Sequence, residues 1–245
     1  MVGRPLPSSP KAQVVNLTDF SPAPNQGGHP ELYETENRAV DPGNLVLDAL
    51  AELAPWRGRT LVDLGCGSGF WLAAYADAAE VIGVEPDPEL VPLAAARPGG
   101  ARVLHGSAEH IPLPDASVDV VHARFAYFWP PRCEPGLREA LRVLRPGGTL
   151  VVIDNDWRNG RFAELLRACA GSAAMGSGDR TDSWWAEHGA QRTEVRSEWA
   201  FESRADFEAV LRMEFPDGTA DRWLEQHPEA TGLSYGFVLF SVRKG

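Results

Sequence analysis

The sequence predicts an α/β protein, a doubly wound and mainly parallel sheet with helices on both faces. Three observations carry that prediction. Short apolar runs alternate with helix-forming segments between residues 61 and 152, the order that builds a parallel sheet covered on both sides. The first run ends in alternating glycines, Gly65, Gly67 and Gly69. Such a turn bends tightly and lets a ligand approach the backbone with no Cβ in the way. Twenty residues after Gly65, Glu85 closes the second run, where a carboxylate can accept hydrogen bonds from ribose hydroxyls.

Taken in order, residues 1–30 are rich in Pro, Ser, Gly and Asn and are expected to form a draped tail, anchored by Leu17 and Phe20. Asp41-Pro42 marks a helix start, followed by a helical stripe of Leu45, Val46, Leu47, Ala49, Leu50 and Leu53. After the strand at 61–64 and its glycine turn, residues 70–76 are dense in helix formers. The second strand is expected at 80–84. A helix follows from Pro86-Asp87-Pro88 through Arg97, ended by Pro98-Gly99-Gly100. Residues 101–104 and 118–121 read as the third and fourth strands. A helix at 139–144, a Pro146-Gly147-Gly148 turn and a strand from Thr149 complete the alternation. Beyond it, 160–170 carries a helical stripe of Phe162, Leu165, Leu166 and Cys169, and 171–181 reads as a small-residue loop before Trp184-Trp185. Residues 192–201 alternate as a sixth strand, 205–215 and 219–226 read as helices, and 235–242 as the last strand. No internal repeat is visible.

The chain of 245 residues suits one domain, and its formal net charge is −11. That balance argues against a sequence-independent grip on nucleic acid, which needs clustered cations. Lys11 and Lys244 are the only lysines, and Arg132, Arg138, Arg142 and Arg145 gather around one helix, as a solvated face does. Cys66, Cys133 and Cys169 are odd in number and far apart, so neither a disulfide framework nor a zinc cluster is expected. No charged-then-apolar leader and no apolar run of about twenty residues is seen. A cytoplasmic protein with no membrane contact is the expectation.

The glycine turn fits neither of two common nucleotide loops. A dinucleotide fingerprint needs G-x-G-x-x-G, and a Walker loop needs a Gly-Lys-Ser/Thr end. The run Asp63-Leu64-Gly65-Cys66-Gly67-Ser68-Gly69 instead resembles motif I, D-x-G-x-G-x-G, of the class I S-adenosylmethionine-dependent methyltransferases. Glu85 stands where that family has its ribose-binding acid. Gly106-Ser107-Ala108-Glu109 resembles its adenine-contacting segment, with Ser107 in place of the usual Asp. Val118-Asp119-Val120-Val121 and the Arg145-Pro146-Gly147-Gly148 tract resemble its fourth strand and the turn into its fifth. The resemblance covers about residues 60–154, and the tract is most similar to the ubiquinone/menaquinone-type and natural-product branch.

What the resemblance implies is a Rossmann-like sheet of seven strands with the last antiparallel, in one domain over residues 1–245. After the tail, residues 31–55 would form an N-terminal helical cap, 56–155 the cofactor core, and 156–245 the acceptor-side helices and last two strands. The cofactor would be S-adenosylmethionine, leaving as S-adenosylhomocysteine. It would be held by Asp63, Gly65, Cys66, Gly67, Gly69, Glu85, Pro86, Ser107, Ala108 and Arg124. Tyr33, from the segment that folds over the cofactor in many relatives, would reach the methionyl carboxylate. Helices inserted before the last strand depart from the family's basic topology and are expected to shape the acceptor pocket.

The acceptor side is less patterned. Phe125, Phe128 and Trp129 form an aromatic wall after the fourth strand, where many relatives carry a His or His pair. Trp157, Trp185 and Glu34 are further candidates for the acceptor. Tyr127 and Asp156 are the candidates for orienting its reacting atom. His122, late in a buried strand, reads as a core imidazole. Pro130-Pro131 comes too late for the Asp/Asn-Pro-Pro-Tyr/Phe motif of amino-group enzymes. Asp154-Asn155 resembles a magnesium pair of catechol-type enzymes, but Ala123-Arg124 offers no third ligand, so no metal is expected. The expected function is methyl transfer to a small aromatic or apolar metabolite, at carbon, nitrogen or oxygen, in secondary metabolism, by a monomer or homodimer. The alternatives are a non-catalytic S-adenosylmethionine-binding partner or regulator, and a nicotinamide-dependent oxidoreductase.

Overall fold

A computed structural model of the chain describes residues 28–169 and 178–245, together with Leu17, Phe20 and Ser21. Most of the expected tail, and residues 171–177 of the expected loop, lie outside the described residues. Seven strands, β1 (Thr60–Leu64), β2 (Glu80–Glu85), β3 (Arg102–His105), β4 (Val118–Arg124), β5 (Leu144–Asn159), β6 (Gln191–Ala200) and β7 (Gly232–Arg243), form one sheet. Their order is β3-β2-β1-β4-β5-β7-β6. Strands β1 to β5 are parallel, and β7 runs antiparallel between β5 and β6. The order reverses between β1 and β4, which puts a ligand crevice at the carboxyl ends of those strands.

Alternation along each strand divides the core in two. One face carries Leu61, Val120, Val151, Ile153, Phe237 and Leu239. It is covered by α1 (Pro30–Ala39), α2 (Leu45–Leu53), α5 (Gly160–Ala168), α7 (Arg204–Glu214) and α8 (Thr219–Gln226). The other face carries Val62, Leu64, Val84, Val121, Ala123, Leu150, Val152 and Phe240, and packs on α4 (Glu134–Val143) and on Trp185 of α6 (Gly178–Glu187). Helix α3 (Leu90–Ala95) follows β2. The two inserted helices before the last strand are present as α7 and α8.

Several elements differ from the sequence expectation. Residues 178–181, expected as loop, open α6, which also holds Trp184 and Trp185, and α2 and α3 start at Leu45 and Leu90, later than the prolines that were expected to open them. Residues 70–76 do not form an α-helix; a single 3-10 turn, Leu72–Tyr75, stands there. Leu72 and Tyr75 are its buried residues, and spacing of three brings them to one side of a 3-10 turn. Residues 31–38, left without an assigned element, lie inside α1, which opens with Pro30 in its first turn. The Pro-Gly-Gly segment belongs to β5 rather than to a separate turn. Gly147 N–H donates to Lys244 O at 2.8 Å and Lys244 N–H to Gly148 O at 2.9 Å; Gly147 keeps a left-handed φ of +79°, and the register to β4 shifts here, so the segment is an irregularity within the strand. Finally, β4 runs on to Arg124 and β5 to Asn159, which places Arg124, Asp156 and Trp157 in strands.

Candidate active site

The glycine turn is shaped by three left-handed residues, Gly65 (φ +78°), Gly67 (+57°) and Gly69 (+78°). A Cβ at Gly65 would stand 2.6 Å from the Cβ of Ala126, and one at Gly69 2.9 Å from the Ala94 backbone. The turn is therefore clamped between the segment after β4 and α3, with room only for hydrogen at these positions. Gly67 N–H donates to Glu85 Oε2 at 2.8 Å, and Asp87 N–H donates to Oε1 at 2.9 Å. Both oxygens of the strand-end acid are thus aimed by backbone. Burial nevertheless outweighs these two bonds and pushes the Glu85 carboxyl up to about 7. Cys66 folds its sulfur over Gly83, where a Cβ would meet it at 2.7 Å. Burial raises its thiol above the usual range, which makes it a spacer and not a nucleophile.

Neighbouring turns frame the same crevice. Gly106 N–H donates to the Glu85 carbonyl at 3.1 Å, and the Pro86 carbonyl pairs with His105 Nε2 at 3.0 Å. Ser107 and Ala108 are buried, and the Ser107 hydroxyl accepts from His110 N–H at 3.2 Å.

Register puts Asp63, His122, Arg124 and Asn155 on one face of the sheet, the face covered by α1 and α7. Asp63 is buried beneath the turn, and burial raises its carboxyl to about 6 against the pull of Arg124. The Arg124 guanidinium lies 3.7 Å from the centre of the Trp71 ring, and its buried Nε has no hydrogen-bond partner. His122 is fully buried between Trp56 and Tyr75, at ring distances of 5.7 and 5.3 Å. Neither ring nitrogen finds a partner, and burial pushes its pKa down to about 3. It is a neutral core imidazole at any working pH.

Helix α1 lies over the turn. Glu34 accepts from the Ser68 hydroxyl at 2.9 Å and from Arg97, whose Nε donates to the Ser68 carbonyl at 3.0 Å. Trp71 Nε1 donates to Asn37 Oδ1 at 3.1 Å. Tyr33 sits on this helix with its hydroxyl raised to about 12, by burial first and Glu36 second. Past β4 the chain is strained: Phe125 (φ +48°) and Tyr127 (φ +59°) both adopt the left-handed region, a conformation that non-glycine residues keep mainly at sites of function. Phe125 stacks toward Tyr235 at 6.4 Å, and the Tyr235 hydroxyl donates to Asn155 Oδ1.

Against this geometry stand the comparisons. Residues 62–152 match the family model described as a methyltransferase domain. That span, from β1 into β5, is similar to a methyltransferase domain. It is 38% identical over 124 residues to an uncharacterized methyltransferase of Mycobacterium sp. (strain JLS), covering 49% of this chain and 48% of that one. An uncharacterized methyltransferase of Mycobacterium tuberculosis is 38% identical over 123 residues, covering 48% and 49%. The chain thus matches about half the length of the curated relatives. The YcgJ protein of Bacillus subtilis has the same fold, with a TM-score of 0.58 at 18% identity over 81% of this chain and 97% of that one.

The residues expected from sequence to hold a cofactor stand mainly in the turns after β1, β2 and β3 and at the end of β4, and those expected for the acceptor are spread over both faces of the sheet. Glu34, assigned to the acceptor, is bonded instead to the glycine turn. Phe128 and Trp185 are buried in the core of the opposite face, 5.9 Å apart, with Trp185 stacked on Phe240 at 5.3 Å. Tyr127 packs on that same face, donating to Glu109 Oε1 at 2.7 Å and accepting from Gly136 N–H at 3.3 Å. Asp156 is buried too, accepting from Arg158 N–H at 3.0 Å, Arg192 at 3.2 Å and Asn159. The two residues expected to orient the acceptor share none of these partners. Trp157 is half-buried against the α1-side core, and Trp129 is 51% exposed.

The sequence reading passed over Glu36, Glu214 and Tyr235. A helical reading of residues 30–39 would have set Tyr33 and Glu36 on one face by their spacing of three. Asp154 ends the parallel part of β5 with its carboxyl raised to about 7 by burial. Among the described residues, no group of three His, Cys, Asp or Glu side chains is placed to hold a metal ion. No helix among them is long and apolar enough to cross a membrane.

Proposed function

We propose that this domain transfers a methyl group from S-adenosylmethionine to a small aromatic or apolar acceptor in secondary metabolism. The observation that carries the reading is the crevice at the β1/β4 switch point, where a glycine turn, a strand-end carboxylate and a guanidinium with a buried Nε are set at the carboxyl ends of neighbouring strands. Glu85, oriented by Gly67 and Asp87, has the chemistry to accept from vicinal hydroxyls. Arg124 presents a buried nitrogen with no partner, a group that an anion such as the methionyl carboxylate would satisfy. The clamped glycines keep the backbone open to a close approach. The residues present therefore fit the cofactor.

When bound, S-adenosylmethionine supplies a methyl group already activated on a sulfonium. The chain's own part is to position and to exclude water. Helix α1, fixed to the turn through Glu34 and Asn37, closes over the crevice. Phe125 and Tyr235 offer the apolar surface on the α1 side. A neutral amine or a carbon nucleophile needs little from a base, and His122, on the strand that ends at the crevice, is buried and uncharged.

Calorimetric titration with S-adenosylmethionine and S-adenosylhomocysteine tests the reading, with Glu85→Ala as control. Micromolar binding that weakens at least tenfold in the variant, about 1.4 kcal/mol, is the expected result. No binding to the wild type would overturn it. Binding without turnover on any acceptor would favour a cofactor-binding regulator.

A further inference from the structure

We propose that Trp71 is a positioning residue for Arg124 and that Asn37 of α1 sets it, so that α1 must lie over the glycine turn before the guanidinium is presented to an anionic ligand. The inference rests on the methyltransferase reading, in which that anion is the methionyl carboxylate, and adds two residues that act through Arg124. Three observations carry it. First, the Arg124 guanidinium stands 3.7 Å from the centre of the Trp71 ring. The other two cation–ring approaches among the described residues are at 5.8 and 6.0 Å, so this one alone is a direct contact. Second, the indole is not free to turn. Its Nε1 donates to Asn37 Oδ1 at 3.1 Å, and Asn37 Nδ2 donates to the Tyr33 carbonyl, one helical turn back, at 2.9 Å. Asn37 is buried on α1 with both ends of its amide bonded, which fixes its orientation. Third, Arg124 and Trp71 line a cavity between α2 and the sheet, together with Tyr75 and Phe125, and Arg124 Nε is buried without a hydrogen-bond partner. Asp63 and Tyr75 lie near enough to feel the Arg124 charge, but neither bonds that nitrogen.

A guanidinium is planar, with all its N–H donors in the plane. Laid on an indole, it gains cation–π attraction and loses freedom to rotate, while the donors at its edge stay available. That edge suits a carboxylate, which accepts two parallel N–H bonds. Without the indole, the ligand itself would have to order the long side chain, at a cost in affinity. The cost falls only on ligands that carry the anion, and that selectivity separates positioning from a general role in folding.

Calorimetry on the full chain with two ligands tests this. S-adenosylhomocysteine carries the carboxylate; 5′-methylthioadenosine shares its adenosine and thioether and has no amino-acid group. W71A is expected to weaken S-adenosylhomocysteine about tenfold, about 1.4 kcal/mol, and to leave 5′-methylthioadenosine within about twofold of wild type, which also shows that the variant folds. W71F, which keeps a ring face, should recover most of the loss, and N37A should show the same selectivity at about threefold. In an R124Q background, W71A should cost no further affinity. Equal losses for both ligands would overturn the proposal, since they would mark a structural role in the turn. So would a W71F as weak as W71A, an N37A indistinguishable from wild type, or a full W71A effect in the R124Q background. A wild type that binds neither ligand is the separate failure of the methyltransferase reading, and takes this proposal with it.

Discussion

The two halves of the crevice are built on different principles. On the cofactor half, backbone does most of the work: three left-handed glycines, N–H groups of Gly67 and Asp87 on Glu85, and the turn at Ser107. On the side covered by α1 and α7, side chains from β4, β5 and β7 meet at Phe125, Asn155 and Tyr235. The first half is local in sequence and leaves a motif. The second is assembled from distant segments and leaves none. Helix α1 ties the two together, with Glu34 bonded to Ser68 of the glycine turn and to Arg97, and Asn37 to Trp71.

Four measurements would break or sharpen that contrast, in descending size of effect. Gly65→Ala forces a side chain into the left-handed region and against Ala126. It is expected to weaken S-adenosylhomocysteine by about 100-fold, about 2.7 kcal/mol, read by calorimetry. An unchanged affinity would show that backbone closeness is not what the cofactor half depends on.

Next comes the pH dependence of stability. The folded-state carboxyls of Asp63 (about 6), Glu85 (about 7) and Asp154 (about 7) lie above their ordinary values, all through burial, and Glu36 is raised as well. Raised acids favour the folded state when protonated. Their contribution is full below about pH 4 and is lost as pH rises through the folded values. Asp119 and Glu139, held low by Arg145 and Arg142 despite some burial, act oppositely and only at the acid end. The Tm of the ligand-free protein should therefore fall by several degrees between about pH 5 and 8. Asp154→Asn should flatten that fall, and a Tm that rises over this range would refute the assignment.

Smaller is the effect of Asp41→Ala. The Asp41 carboxylate accepts from Leu45 N–H at 3.0 Å, Val46 N–H at 2.8 Å and the Ser197 hydroxyl at 2.6 Å, so it caps α2 and ties it to β6. Its loss should cost about 1–2 kcal/mol in denaturant unfolding, with cofactor affinity unchanged. Smallest is Trp129→Ala, at a side chain 51% exposed. A stability change within about 0.5 kcal/mol is expected. A drop in turnover at constant cofactor affinity would return Trp129 to the acceptor path.

How far the site could be read in advance follows from the same contrast. The alternation of strands and helices and the inserted helices α7 and α8 were legible because apolar runs and their spacing are local. Glu85 and the glycines were legible because a strand end and its turn are continuous in sequence. Tyr127, Phe128, Asp156 and Trp185 were assigned to the acceptor by their position after β4 and β5. Position along the chain does not say which face a side chain takes. The left-handed backbone at Phe125 and Tyr127 accompanies the turn of Tyr127 and Phe128 to the α4/α6 side of the sheet, strand parity puts Asp156 there, and Trp185 reaches it from α6. Glu36 was passed over because residues 31–38 had no assigned element, so its neighbour Tyr33 was weighed alone.

By itself, the sequence determined the α/β class and the strand, glycine turn and strand-end acid between Leu61 and Glu85, since these depend on periodicity, glycine and strand ends within short stretches. Only the tertiary structure decided which face of the sheet each side chain at the strand ends takes. That outcome depends on the parity of each strand residue, which is set by contacts between segments far apart in the chain.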